Sequence, residues 1–375
     1  MDQVNVLIVG GGVVGCAIAE VLSQRWQDVF LVEQNPKFGM ATSTRNSGVI
    51  HSGIYYPTNS LKARLCVEGN RLTKEFCAKH NVPCRTTGKL VVAACKEEEP
   101  DLLALMKRGQ ENGVEGLEIL SAAQIREREP HVQGYLALDV PSTGICSAED
   151  VVHAFARVAE EQGASLLTHA KVEALEPKKD AVRVRLRIGD EQQGETETVE
   201  ARCVINAAGL YCDEVARMLG PRPWTIYPSR GEYCEIRGPR AEIVRGLVYP
   251  LPHKDSLYLG LHFTKTVWGT LLLGPTARYV DAKDNYERDR MSIFEFAADA
   301  KTLVPEIAES DLQLAYTGLR PRLIPPDGKG VADFVIEPDH EFPQVIQVVG
   351  IESPGLTGAP AIARHVASLT AQILN

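Results

Sequence analysis

Residues 5–15 read NVLIVGGGVVG, and the fold follows from how that stretch is punctuated. Val6, Leu7, Ile8 and Val9 form a short continuous apolar run, the pattern of a strand covered on both faces in a parallel sheet. Gly10, Gly12 and Gly15 follow with the spacing G-x-G-x-x-G, and a helical pattern runs from Val13 and Val14 to about Arg25. In such a turn the first glycine bends the chain, the second offers bare backbone to a pyrophosphate, and the third lets helix and strand approach. The helix N-terminus aims unpaired N–H groups and a partial positive charge at the phosphates. A second apolar run, 29–32, ends at Glu33, the distance at which an acid meets ribose hydroxyls, with Gln34 beside it. An isolated glycine-rich turn predicts little, but strand, turn, helix, strand and acid in that order predict a dinucleotide site.

A chain of 375 residues suggests two domains or one elaborated large one, and 44% hydrophobic residues suffice for a real core. The net charge of −9 argues against nucleic acid as a partner, while leaving room for a local basic pocket. Nine cysteines without a C-x-x-C pair read as free thiols in a reducing compartment, the cytoplasm, and no metal site is expected. With the first strand starting so close to Met1, no targeting peptide is expected. No apolar run is long enough to span a bilayer, which still allows peripheral contact at the inner membrane.

Beyond Glu33 a polar loop, 34–50, leads to His51-Ser52-Gly53-Ile54-Tyr55-Tyr56, and loops this long in compact domains usually carry function. Helices are predicted over 61–80 with Ser60 as N-cap, 97–112, 121–129 and 147–161, with strands at 90–94 and 164–168. Residues 182–188 alternate apolar side chains with Arg183, Arg185 and Arg187, a surface strand with a solvated basic face. Residues 203–209 read as a buried strand ending in Ala207-Ala208-Gly209, followed by a helix over 211–219. From 224 to 276 the pattern turns to short antiparallel strands, at 231–236, 257–263 and 270–273. A helical stretch over 281–300, a strand at 312–319, a Pro/Gly-rich loop over 320–329, a strand at 345–349 and a C-terminal helix complete the chain. The expected fold is α/β: a discontinuous Rossmann-like FAD-binding domain (1–84, 146–215 and 336–375) plus an α+β substrate domain with a mostly antiparallel sheet (85–145 and 216–335).

Three features favour FAD over a nicotinamide cofactor. A strand ends in small residues at 207–209, a long loop (43–56) follows the ribose acid, and a strand, glycine turn and helix close the chain. That last helix dipole would stabilise an anionic reduced flavin. The combination resembles the FAD-dependent D-amino-acid oxidase/glycerol-3-phosphate dehydrogenase superfamily. Within it, Asn46-Ser47-Gly48-Val49-Ile50-His51-Ser52-Gly53-Ile54-Tyr55-Tyr56-Pro57 and the segment 60–70 resemble the L-2-hydroxyglutarate oxidase/dehydrogenase family. So do Gly88-Lys89-Leu90, Tyr249-Pro250-Leu251-Pro252, Gly260-Leu261-His262-Phe263-Thr264 and Gly318-Leu319-Arg320-Pro321. The stretch 253–259 departs from that family, and the ending 350–357 is closer to glycerol-3-phosphate-dehydrogenase-like members. A glycerol-3-phosphate- or amino-acid-oxidising enzyme is therefore the alternative, and an electron-transfer flavoprotein without its own substrate is a rival of another class.

The resemblance implies cofactor contacts beyond the N-terminal turn and Glu33. They fall on Thr42, Ser43, Asn46, Ser47, Gly48 and Val49, on Val172, on Ala207, Ala208 and Gly209, on Gly318 and Arg320, and on Ser353, Pro354, Gly355, Leu356 and Thr357. Its implied reaction oxidises an L-2-hydroxy acid, most simply L-2-hydroxyglutarate to 2-oxoglutarate, by hydride transfer to flavin N5, with oxygen or a quinone-linked carrier as acceptor. That chemistry needs a base for the hydroxyl proton and a cation for the carboxylate. His51 and His262 are the two candidates for the base, because imidazole titrates near working pH. Arg320 is the expected carboxylate anchor through its planar fork. Tyr55 and Tyr233 are candidate substrate donors, and Arg64 a weaker one for a distal carboxylate.

Overall fold

The computed structural model describes residues 2–189, 194–252 and 260–375. An eight-stranded sheet is built around the first strand, Asp2–Val9. That strand pairs in parallel with Glu195–Asn206 on one side and Val29–Val32 on the other, and Ser165–Leu167 extends the edge. Val6, Leu7 and Ile8 are buried on both faces, as their unbroken apolar run requires. On the far edge of Glu195–Asn206, the hairpin Ala170–Pro177/Val182–Ile188 takes the first half and Val345–Val349 the second, with Val335–Pro338 outside it. The basic face of Val182–Ile188 is a salt-bridged surface, with Arg183 3.2 Å from Glu200 and Arg187 3.4 Å from Glu173.

Helices Val13–Ser23, Ala148–Glu161 and Gly355–Leu374 share one core on one face of this sheet, and Leu61–Lys79 packs against the last of them. The first helix meets its strand closely because of one residue. A Cβ on Gly15 would sit 1.9 Å from the Gly10 carbonyl oxygen, so any side chain there forces the elements apart. Gly10 itself turns with φ +107°, a conformation that glycine adopts without strain.

The second sheet has nine strands and is mostly antiparallel. Its centre is Tyr227–Ile236, flanked by Leu312–Arg322 and Leu271–Gly274. It continues through His262–Lys265 and Leu247–Pro250 to Leu90–Ala93, Leu136–Asp139 and Glu118–Ser121. Segments 85–145 and 216–335 thus both send strands into it. A small sheet of Val49–Ile50, Gly144–Cys146 and Cys84–Thr86 lies where the chain passes between the two large ones. The α/β architecture with a second, mainly antiparallel sheet is the one expected.

Several elements differ from expectation. The helix over 281–300 is confined to Ile293–Ala300, opened by a Ser292/Glu295 capping box. The residues before it are drawn out as loop because Arg230, fully buried, donates to the Asn285 side chain at 3.1 Å and the Asp289 carbonyl at 3.1 Å. Leu312–Arg322 runs past Leu319, because Ser229 and Tyr227 pair with Arg320 and Arg322, so Arg320 stands on a strand rather than in a loop. The C-terminal helix already begins at Gly355, taking the glycine turn into its first turn. The strand at 257–263 is seen as His262–Lys265, and positions 253–259, including the stretch that departs from the resembled family, lie outside the described residues.

Candidate active site

Two helix N-termini point into one cavity of about 680 Å³ between the sheets. At one end, Gly12 caps helix Val13–Ser23 in extended conformation and has no side chain of its own to cover the N-terminus. The Val13 N–H donates to Ser43 Oγ at 2.9 Å, and Gly12, Val13 and Val14 line the cavity. At the other end, Ser353 to Thr357 carry the start of helix Gly355–Leu374 into the same space. Polar contacts fix the loop between them. Asn46 Nδ2 donates to the Ser43 carbonyl at 2.6 Å, the Gly48 N–H donates to Asn46 Oδ1 at 2.8 Å, and the His51 N–H donates to Thr357 Oγ1 at 2.9 Å. Thr42 and Tyr316 tie this loop to strand Leu312–Arg322 and back, through the Leu319 and Asn46 carbonyls.

Most of the residues expected to hold a cofactor meet here: Thr42, Ser43, Asn46, Ser47 and Val49 from the loop, Ala207 and Gly209 from the strand end, and Gly318 with Arg320. Others stand behind the wall. Gly10, Gly15 and Gly48 shape backbone, and Ala208 packs beneath. Glu33 ends its strand as expected, but its carboxylate accepts from the Gly11 N–H at 2.7 Å and from Asn35 N–H and Nδ2 at 2.8 and 2.6 Å. Gln34 is exposed and Val172 belongs to the core under the hairpin, so neither lines the cavity. Arg64 is an exposed helix residue away from it.

His51, His262, Tyr55, Tyr233 and Arg320 converge at the substrate-sheet end. His262 Nδ1 lies 2.9 Å from the Gly260 carbonyl, which can only accept, so Nδ1 carries the proton and Nε2 keeps its lone pair. His51 Nδ1 is buried and has no hydrogen-bond partner among the described residues. Burial pushes both imidazoles down to about 3, and the Lys89 charge adds to it in each case. Both rings are therefore neutral at working pH and free to take a proton, but burial makes each a weaker base than the imidazole titrating near working pH that the sequence leads one to expect. Arg320 Nη1 donates to the Thr276 carbonyl at 3.0 Å. Its guanidinium rests on Gly231, where a Cβ would come within 2.9 Å of Nη2, and among the described residues it makes no ion pair. Burial pulls Tyr233 above its ordinary range, so its hydroxyl stays protonated and can donate.

Other groups at the site were not assigned a role from sequence. Lys62 Nζ is 2.9 Å and Arg322 Nε 3.2 Å from the two oxygens of Glu352, all three lining the cavity. These partners are far apart in the chain, so no local pattern announces them. Lys89 and Tyr249 form the floor beneath Tyr55 and His262. For Lys89 a signal existed: one charged residue at the head of an otherwise apolar buried strand, KLVVAA.

A sheet with a glycine turn, a cavity opened by two helix N-termini and small residues between them fit an extended dinucleotide, with a positive helix end at each extremity. The chain belongs to the FAD-dependent oxidoreductase family, whose model matches residues 5–369. It is 33% identical over 404 residues to the mitochondrial L-2-hydroxyglutarate dehydrogenase of Mus musculus, spanning 96% of this chain and 86% of that one. It is 32% identical over 404 residues to the L-2-hydroxyglutarate dehydrogenase of Escherichia coli K12, spanning 98% and 93%. Among solved structures it is similar to dithionite-reduced L-alpha-glycerophosphate oxidase from Mycoplasma pneumoniae with FAD bound, with TM-score 0.88 and 27% identity over 99% of this chain and 95% of that one. Glycine oxidase from Geobacillus kaustophilus shares the fold, with TM-score 0.81. Both the FAD expectation and the resemblance to L-2-hydroxyglutarate oxidases and dehydrogenases are borne out. Among the described residues no helix is long and apolar enough to cross a membrane.

Proposed function

We propose that this protein oxidises L-2-hydroxyglutarate to 2-oxoglutarate. The observation that carries the reading is Arg320, which faces two neutral imidazoles in one cavity and, among the described residues, makes no ion pair, the Glu352 carboxylate acting on it only from beyond ion-pair distance. A planar guanidinium grips a carboxylate through two parallel hydrogen bonds, and its desolvated state makes the arriving anion welcome. The bound flavin supplies the hydride acceptor. The chain's part is to place the Cα–H by holding the carboxylate on Arg320, and to take the hydroxyl proton on a histidine nitrogen as the carbonyl forms. His262 offers Nε2 in a tautomer fixed by Gly260, and His51 offers an Nδ1 that has no partner among the described residues. Tyr55 and Tyr233 stand as hydroxyl donors around the acid.

Segments 1–84, 146–215 and 336–375 form the FAD-binding domain, and 85–145 with 216–335 the substrate domain. Electrons leave to oxygen or a quinone-linked carrier. Nine free thiols support a reducing compartment, the cytoplasm, with peripheral contact at the inner membrane. The similarity to a glycerophosphate oxidase favours glycerol 3-phosphate as the second substrate reading. Anaerobic mixing of the purified holoenzyme with L-2-hydroxyglutarate, glycerol 3-phosphate and D- or L-amino acids separates them. L-2-hydroxyglutarate is expected to bleach the flavin fastest, and bleaching by glycerol 3-phosphate or an amino acid alone would overturn the assignment.

A further inference from the structure

We propose that Lys89 is a positioning residue for the oxidation: clamped between the Tyr55 and Tyr249 rings, it turns the Tyr55 hydroxyl toward the substrate carboxylate and sets a positive charge beside His51 and His262. This rests on the hydroxy-acid reading above and adds a residue to it.

Lys89 is 1% exposed at the head of strand Leu90–Ala93. A buried ammonium is costly unless an anion or a dense set of acceptors meets it. Among the described residues no carboxylate lies within ion-pair distance of it. What surrounds it instead is aromatic. Nζ is 4.4 Å from the Tyr55 ring centroid and 4.6 Å from that of Tyr249, both within cation–π range. Packing alone would be served as well by a methionine of the same volume, without the desolvation cost.

The hydrogen bond gives the lysine a direction. Nζ donates to Tyr55 Oη at 3.2 Å. In its charged form, the one that an entering carboxylate favours, the ammonium has only protons to give, so Tyr55 is the acceptor there and its own O–H is left to donate elsewhere. Tyr55 lines the cavity, where the carboxylate held by Arg320 is the acceptor on offer. Burial keeps that phenol protonated. Burial also pushes Lys89 down to about 7, and an entering carboxylate draws it back toward the charged form.

The charge also reaches the bases. Among the described residues, the charged and titratable groups that act on or touch the two histidines are Lys89, Arg320, Tyr249, the Cys66 thiol and each other's ring, none of them a carboxylate. Beside burial, which is the main cause, the Lys89 charge disfavours protonation of both His51 and His262. A dianionic substrate would otherwise pull those rings toward the protonated, non-basic form.

The test uses FAD-loaded Lys89→Met, Lys89→Arg and Tyr55→Phe enzymes. In the first arm, which needs no substrate, carbon-13-labelled histidine is titrated by NMR. Lys89→Met is expected to raise the midpoints of His51 and His262 by about one pH unit or more, and Lys89→Arg to hold them low. In the second arm, Lys89→Met and Tyr55→Phe each raise KM for the hydroxy acid about tenfold, and together no further, while the acid limb of kcat/KM moves up in Lys89→Met alone. Unmoved midpoints in a folded, yellow Lys89→Met enzyme would overturn the electrostatic role. An unchanged KM in Tyr55→Phe would overturn the hydroxyl role, even if Lys89→Met does not fold. Wild-type flavin that no 2-hydroxy acid bleaches would instead fault the substrate reading, and the NMR arm would still judge Lys89.

Discussion

His262 lies flat on Tyr249, with ring centroids 3.7 Å apart and planes inclined by 17°, while its Nδ1 donates to the Gly260 carbonyl. The ring is held by its face and by one edge, and the remaining nitrogen is turned loose for chemistry. Replacing His262 or His51 by alanine should leave FAD bound with an ordinary visible spectrum and lower turnover at least about a hundredfold, a usual contribution for a positioned base. Stopped-flow flavin reduction checks this. Near-normal reduction in both single variants would remove histidine from the proton-transfer role.

The same two imidazoles make stability depend on pH. Their folded values, about 3, lie below the unfolded value of about 6.5, so between these limits the unfolded chain binds more protons. Their contribution is complete above about pH 6.5 and is lost as pH falls toward 3. The melting temperature should therefore fall between about pH 7 and 5, and fall less in a His51→Gln/His262→Gln enzyme. An identical decline in both enzymes would show that other groups set the acid limit.

Arg320 is anchored at one nitrogen by the Thr276 carbonyl and backed by Gly231. Lysine keeps a charge there but not the fork. Arg320→Lys should raise KM for the hydroxy acid by about tenfold or more with a smaller change in kcat. An unchanged KM in steady-state assays would dismiss Arg320 as the anchor.

Away from the site, Arg222 forms a buried bidentate pair with Asp339, at 2.8 Å through both Nε and Nη2. Asp339 also accepts from Gln347, which accepts in turn from Asn206, so one polar chain binds Val345–Val349 to Glu195–Asn206. Arg222→Met would leave the Asp339 charge buried and unpaired, at a cost of about 3–5 kcal/mol. Urea denaturation should register that loss, while KM in the surviving folded enzyme stays near normal. A variant as stable as the parent would contradict the assignment.

The parts of this molecule legible in the sequence were those that local periodicity writes. Val6 to Val9 and Val345 to Val349 declare buried strands, and Ser60 and Ser147 cap the helices they were expected to open. Strands of three or four residues, such as Cys84–Thr86 and Leu136–Asp139, carry too few alternations to announce themselves. The segment before Ile293 looked helical by itself and lost that structure to a buried Arg230 contributed from another strand. In the site, loop and turn residues were readable because glycine and small polar residues have local meanings. Lys62 and Glu352 meet only through the fold, and no window of sequence contains both.

Strand Glu195–Asn206 receives one neighbour from the first residues of the chain and another from near its end. During synthesis, the central sheet must wait with a raw edge until Val345–Val349 leaves the ribosome. A nascent chain stalled before that strand would present unsatisfied backbone donors and acceptors beside an open apolar face, the template on which chains stick to one another. Premature stop codons late in the gene should therefore yield insoluble, colourless protein rather than a shortened enzyme.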